Sequence, residues 1–457
     1  MADEPQAGLR ASAAPDLKLV FYADDFTGAT DTLATVARAG LRAILFLRLP
    51  TDAQRAALGP QDCLGIAGAS RAMSCRQLQA ELSRVADCIA SWCPPVVHYK
   101  TCSTFDSSPS VGSIGLAVRV LRERLPVGPF VPIVGGQPNL GRYCVFGTLF
   151  AAFEVGGEVF RLDRHPTMSR HPVTPMDEAD LRRHLARQGL KSVAGIAYPS
   201  YNEGQESLDA QLQAALESGP DGVLLDIAAP EHLAVIGQLL WQRAQRQPLL
   251  AVGSSSIEQA LLTQWQDAGK AIAVHAPVHP DPEPSVEGHP PDGPVLVFSG
   301  SLSPRTARQI QVARSYVRVP VPVGDMLDGS AAQRLALQAR IVQALAAGQH
   351  VLAHWVDASA AAAAPRLGPA RLARAGASLV ADILRTVRPA RLGLSGGDTS
   401  SHCMQALDAW GLTYRRLLAP GAALCRVHAD APHLDGLEVM LKGGQMGTDD
   451  IFERLLR

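Results

Sequence analysis

Short apolar runs alternate with longer stretches of helical periodicity along almost the whole chain, and this alternation restricts the architecture more than any other feature. Leu17–Tyr22, Arg42–Phe46, Cys63–Ala67, Pro95–Tyr99 and Phe130–Val134 read as buried strands. Helical patterns over Asp31–Ala39, Ser74–Ile89 and Ile114–Arg124 lie between several of them, and Ser192–Ala197, Gly222–Asp226 and Leu249–Val252 continue the strand series. Such repetition predicts an α/β fold with mainly parallel β-sheets flanked by helices on both faces.

At 457 residues the chain is too long for a single core, so two or three domains are expected. The composition changes most sharply over Ala276–Pro294, which is dense in proline and poor in apolar residues. That suits an extended linker. Beyond it the pattern restarts with strands at Val295–Phe298, near His350–Ala353, and at Arg391–Leu394, Leu424–Val427 and Val439–Leu441, and a helix at Arg305–Ala313. The expected organisation is a tail over 1–16, a first α/β domain over 17–275, a linker over 276–293 and a second α/β domain over 294–457. The alanine run Ala360–Ala364 carries no visible chemistry.

A net charge of -1 lacks the basic excess of a nucleic-acid or membrane-surface binder. Eight cysteines without a C-x-x-C pair read as reduced thiols of a cytoplasmic protein. No apolar run reaches the roughly 18 residues of a membrane span, and the first residues lack the pattern of a secretory signal.

The polar residues gather where strands end. Asp24-Asp25-Phe26-Thr27-Gly28-Ala29-Thr30-Asp31 follows the first strand, the position at which open α/β sheets hold ligands. Gly28 would let backbone approach a ligand, while Thr30 or Asp31 could cap the following helix. The competing reading is that both aspartates only cap the loop. A phosphatase of the Asp-x-Asp-x-Thr type is excluded by register. Lys100-Thr101-Cys102-Ser103-Thr104-Phe105-Asp106-Ser107 follows another strand and combines a cation, hydroxyls and a carboxylate suited to a polyol acid. Gly112-Ser113-Ile114-Gly115 opens the next helix with small residues suited to an anion. Arg71, after a third strand, is a carboxylate-clamp candidate, against the reading of a solvated arginine. Gly141-Arg142-Tyr143 lies within Pro138–Phe146, and the Arg164–Val173 segment that comes later, rich in proline and histidine and without helical or strand period, looks like an ordered functional loop. His165 and His171 lack the ligand spacing of a transition-metal site.

Three glycine-rich loops lie beyond the linker, each between a strand and a helix: Ser299-Gly300-Ser301, Ser395-Gly396-Gly397-Asp398-Thr399 and Lys442-Gly443-Gly444-Gln445-Met446-Gly447. Their N–H groups and hydroxyls could take phosphate oxygens, although none is a Walker loop.

In this order the motifs resemble the four-carbon acid sugar kinase family over nearly the whole chain. The resemblance implies an ATP- and Mg2+-dependent kinase of a small sugar acid such as a 3-oxo-tetronate, threonate or erythronate. The acid would bind to the first domain and ATP to the second, with the active site in the cleft between them. It implies Asp25, or else Asp24, as the catalytic base. Arg71 and Lys100 would clamp the carboxylate, with Thr27, Gly28, Asp31, Ser103, Thr104, Asp106 and Arg142 completing the acid site. The nucleotide would take Ser299, Gly300, Ser301, Ser395, Gly396, Gly397, Asp398, Thr399, Lys442, Gly443, Gly444 and Gly447. A homodimer is compatible with this family. Gly112-Ser113-Ile114-Gly115 departs from the family's Gly-Asn-Ile-Gly, and the 164–173 segment has the look of a subgroup feature, so the acid is left open. The rival readings are a nicotinamide-dependent dehydrogenase, which lacks its G-x-G-x-x-G after a strand, and a sugar-acid sensor, which would not need the three phosphate loops.

Overall fold

The computed structural model describes residues 17–153, 156–171, 173–267, 290–356 and 369–457. The N-terminal tail, most of the proline-rich linker and the alanine run lie outside these residues.

Among the described residues, eleven strands precede the linker: β1 (Leu19–Ala23), β2 (Ala43–Phe46), β3 (Cys63–Ala67), β4 (Val96–Lys100), β5 (Pro132–Gln137), β6 (Arg142–Val145), β7 (Thr148–Ala152), β8 (Val159–Arg161), β9 (Val193–Ile196), β10 (Gly222–Asp226) and β11 (Leu249–Gly253). All but β6–β8 pair in parallel in the order β2-β3-β1-β4-β11-β5-β10-β9. Every residue of β1 is buried, because helices cover both faces of the sheet. The chain visits β3 on one side of β1 and then β4 on the other. This reversal opens a crevice at the C-terminal ends of the three strands.

Strands β6–β8 form an antiparallel extension that grows from the end of β5. The sequence pattern did not reveal them: β8 is largely exposed, and half-buried positions interrupt β6 and β7, so no continuous buried run marks them.

Seven more strands follow the linker among the described residues: β12 (Val295–Ser299), β13 (Val317–Pro322), β14 (Val351–Val356), β15 (Arg391–Ser395), β16 (Ala409–Ala419), β17 (Ala422–Ala429) and β18 (Glu438–Lys442). Their order is β13-β14-β12-β15-β18-β17-β16, parallel as far as β18 and antiparallel beyond it. Pro320 and Pro322 hide β13 from a pattern search, and the strand sits at the sheet edge, where a missing N–H costs nothing.

The two sheets join. Leu45 and Phe46 of β2 pair antiparallel with Leu412 and Gly411 of β16, and Leu47 N–H donates to the Trp410 carbonyl at 3.0 Å. Phe46 stacks on Trp410 with ring centres 6.4 Å apart. The helix Phe26–Arg38 packs against the helix Gly397–Ala406 and against β16–β18, bringing the strand ends of both halves to one cleft.

Below the cleft, the fully buried His98 of β4 holds Glu258 through Nδ1 at 2.5 Å and the Gly253 carbonyl through Nε2 at 3.0 Å. Removing one partner of such a pair leaves a buried polar group unmatched, at a cost of about 3–5 kcal/mol. Glu258→Ala is therefore expected to lower the melting temperature by well over 5 °C in a thermal scan. A change within the error of the measurement would show that the pair does not brace the sheet.

Candidate active site

Parallel register sets Ala23 level with both Ala67 and Lys100, so the residues that follow β1 and β3 emerge beside the end of β4. Backbone bonds fix this meeting point: Asp24 N–H donates to the Lys100 carbonyl at 3.0 Å and Arg71 N–H to the Asp24 carbonyl at 3.1 Å. The Arg71 guanidinium lies between the two aspartates, reaching Asp24 at 2.7 and 3.2 Å and Asp25 at 3.0 Å. Lys100 Nζ stands 3.9 Å from Asp25.

Burial, with the neighbouring Asp25 charge, raises the Asp24 carboxyl above its usual range in spite of Arg71. Burial pushes Asp25 upward too, but there Arg71, Lys100 and the Gly28 N–H prevail and hold it low. The two neighbours thus differ: Asp25 is firmly ionised and faces the cleft, whereas Asp24 is locked on arginine.

Several expectations change here. The first helix begins at Phe26 and not near Asp31, because the Asp25 carboxylate caps it by accepting from Gly28 N–H at 2.9 Å. Thr30 and Asp31 therefore lie within the helix and do not cap it; Asp31 accepts from Ser255 Oγ at 2.7 Å. Arg71 is neither solvated nor free, being engaged by two carboxylates. A Cβ on Gly28 would lie 1.8 Å from Lys100 Nζ, so this glycine makes room for the lysine. The Gly112–Gly115 segment offers no open anion site, since Ser113 Oγ and Gln188 Oε1 take the first N–H groups of its helix.

The loop after β4 turns at Phe105, which has φ 54°, and Thr104 donates to Asp106 at 2.7 Å. Farther along the sheet, Gln137 at the end of β5 pairs across the strand with Arg142 of β6. His165 and His171 do not converge on a metal: each Nδ1 accepts N–H groups of its own turn, from Thr167 and Met168 and from Thr174 respectively. Among the described residues no group of three His, Cys, Asp or Glu is gathered.

Across the cleft, Ser299, Ser395 and Lys442 end the adjacent strands β12, β15 and β18. The helix after Ser303 is capped by that residue's own hydroxyl, which accepts from Thr306 N–H. The helix Gly397–Ala406 has no side-chain cap and leaves its first N–H groups and positive dipole end free for a phosphate. Gly396 has φ 118° there, a conformation that favours glycine, and a Cβ would approach Ser301 N to 3.2 Å. The third loop is tied down by Gln309, whose amide reaches the carbonyls of Met446, Gly447 and Thr448. Lys442 lies fully buried beneath these loops and donates to Ser395 Oγ at 2.8 Å.

A cavity of about 390 Å³ lies between the halves. Its N-terminal wall holds Asp25, Thr27, Gly28, Asp31, Arg71, Lys100, Ser103, Thr104, Asp106 and Arg142, with Asp24 behind it; its C-terminal wall holds Gly397, Gly443 and Gly444. Ser299, Gly300, Ser301, Ser395, Gly396, Asp398, Thr399, Lys442 and Gly447 do not line it. Cys102, Gln445 and Met446, which lie inside the quoted motifs, and Thr167, Met168 and His171 of the 164–173 segment also line the wall, as do Gln137, Leu140 and Gly421, which were not singled out as site residues from the sequence. Gly421 had a legible signal, a Pro-Gly turn between two apolar runs; Gln137 had none.

Residues 19–261 match a sugar-binding N-terminal domain and residues 296–452 a nucleotide-binding C-terminal domain. The chain belongs to the four-carbon acid sugar kinase family. It is 37% identical to a 3-oxo-isoapionate kinase of Paraburkholderia graminis, over 98% of this chain and 96% of that one. It is 30% identical to a 3-oxo-tetronate kinase of Methylobacterium radiotolerans, over 96% and 99% of the two chains. The fold matches a Salmonella typhimurium LT2 structure with a TM-score of 0.77 at 24% identity, covering 96% of this chain and 99% of that one. A Haemophilus influenzae structure matches with 0.67 at 23% identity, covering 95% and 98%. Among the described residues no helix of this family member is long and apolar enough to cross a membrane.

Gly28→Ala displaces Lys100 and Asp25 and should cut turnover about 100-fold, as misplacement by an ångström does, with the melting temperature little changed. Near-normal turnover would mean that the lysine has no part in the site. Burial, helped by the Arg305 charge, lowers the Lys442 ammonium to about 7. In the unfolded chain it titrates near ~10.4, so between these values only the unfolded state holds the proton and stability rises with pH. Melting curves between about pH 7 and about pH 9.5 should show that rise, flattened in Lys442→Met; parallel curves for the two proteins would contradict it.

Proposed function

We propose that the chain is an ATP-dependent kinase that phosphorylates a hydroxyl of a short sugar acid, with a 3-oxo acid of the kind named for both relatives as the first choice and threonate or erythronate next. The observation that carries this reading is one cavity walled by the Asp25–Lys100 pair on one side and the uncapped helix N-terminus at Gly397 on the other.

In this reading the nucleotide's phosphates lie across Gly397, Gly443 and Gly444, where backbone N–H groups and the helix dipole meet negative charge. Lys100 neutralises the γ-phosphoryl group as it moves between the domains. The substrate hydroxyl oxygen attacks the γ-phosphorus in line, the bond to the bridging oxygen of ADP breaks, and the hydroxyl proton passes to Asp25. A low-lying carboxylate suits this role, because the hydroxyl becomes acidic only as its bond to phosphorus forms. Asp24 holds Arg71, and Arg71 keeps Asp25 ionised and aimed.

Mg2+ fits the donor set. It commonly binds one or two carboxylates together with the substrate's phosphates; Asp31, on the cavity wall, would be the protein carboxylate that holds it, leaving Asp25 for the proton, and the ion would supply charge neutralisation at the phosphates. The closed cleft would exclude water, which otherwise competes for the γ-phosphoryl group. All eight cysteines are unpaired, which supports a cytoplasmic setting where ATP is made.

ADP release from MgATP, measured against a panel of four- and five-carbon sugar acids, is expected to identify a substrate. Asp25→Asn should lower kcat by about 10²–10⁴-fold, the range for a lost general base. Turnover near normal in that variant would remove Asp25 from the role.

A further inference from the structure

We propose that Arg142 and Gln137, and not Arg71, bind the carboxylate of the acid and so select acids over neutral polyols. This assignment rests on the sugar-acid reading above and specifies how that site holds its substrate.

Arg71 is a poor anchor for an incoming anion. Its guanidinium already meets both Asp24 and Asp25, and a substrate carboxylate placed there would lie against two carboxylates, one of them buried. Like charges so close disfavour one another strongly in a site sheltered from water.

Arg142 is the opposite case. Among the described residues it forms no ion pair, and its side chain is bound only through Nη1, to the Leu140 carbonyl at 2.5 Å. Its Nε is buried without a partner. Gln137 is 2% exposed, and its Nε2 is likewise buried without a partner. Both residues line the cavity. They face each other across the β5–β6 pair, so their side chains project together from one side of the hairpin. The turn that joins them, Pro138–Leu140, closes through Gly141 at φ 69°.

Two buried N–H donors without acceptors, side by side on a rigid hairpin, are costly unless a ligand completes them. The group that fits is rich in acceptors, planar and anionic, which describes a carboxylate. The strand order supports the distance. From β1, behind Asp25, to β5, behind Gln137, the sheet runs through β4 and β11, or roughly 14 Å at the inter-strand spacing of about 4.8 Å. Side chains reaching inward from both ends leave a gap for a short acid, with its reacting hydroxyl at Asp25 and its carboxylate at the hairpin.

The test compares wild type, Arg142→Met, Arg142→Lys, Gln137→Leu and Arg71→Met in two assays: calorimetric binding, and ADP release. The ligands are threonate, erythronate, the two 3-oxo acids named above and threonamide, in which the charge is removed. Arg142→Met is expected to weaken acid binding and raise KM at least 30-fold, while kcat and nucleotide affinity stay within about threefold. Lysine at 142 should restore part of the loss, and Gln137→Leu should show a smaller loss in the same direction. Threonamide should bind wild type and Arg142→Met alike. Acid affinity unchanged in Arg142→Met, or lost only in Arg71→Met, would overturn the assignment. If wild type binds acids without phosphorylating them, the kinase reading falls and the Arg142→Met binding loss still decides the anchor. If wild type binds none of these acids, both readings fall together.

Discussion

Arg71 lies between two consecutive aspartates, and the organisation of the cleft depends on that contact. Neighbouring carboxylates at a sheltered strand end would repel each other and take up protons. The guanidinium offsets both charges, and unequally: Asp24 is buried behind it, while Asp25 also has Lys100 and the helix cap. One carboxylate can then stay ionised at the cavity surface because the other is fixed below it. Three parallel strands deliver these groups, and a one-residue slip of β3 or β4 would turn Arg71 or Lys100 away.

The second constraint is the junction between domains. Kinase chemistry needs phosphate loops from one half to face acceptor groups from the other, and covalent connection alone would fix no such geometry. Here β2 and β16 share a ladder, and Arg48 pairs with Asp408 at 2.6 Å beside it. The first helix meets both halves at once, and it starts with the residue that follows the proposed base. The uncapped helix at Gly397 and the loop at Gly443 are thereby set opposite Asp25.

Much of this was legible in the chain. Apolar runs marked β1–β5, β9–β12, β14, β15, β17 and β18, because the central strands of a sheet covered on both faces are mostly apolar. The clusters after them pointed to the cleft, because residues at the C-terminal ends of parallel strands share one rim. The misses have physical causes as well. Strands β6–β8 have no continuous buried run, and prolines disguised the edge strand β13. Asp31 looked like a cap, but Asp25 reached the free N–H groups first. Gly112–Gly115 looked open, but Gln188, distant in sequence, fills it.

Residue order by itself determined the α/β class, the two-domain plan and the polar and glycine-rich loops that follow the strands, since each depends on local periodicity and on glycine, proline and charge at strand ends. Only the tertiary structure decided which charges cancel and which stay free. Arg71 and Arg142 are both arginines near strand ends, and nothing local separates them. Their difference arises because the parallel register sets Asp24 and Asp25 against one, while the β5–β6 hairpin leaves the other beside an unpartnered glutamine. The free energy of a charge is set by its neighbours in space, and those neighbours come from β1, β3, β4, β5 and β6, segments that only folding brings together.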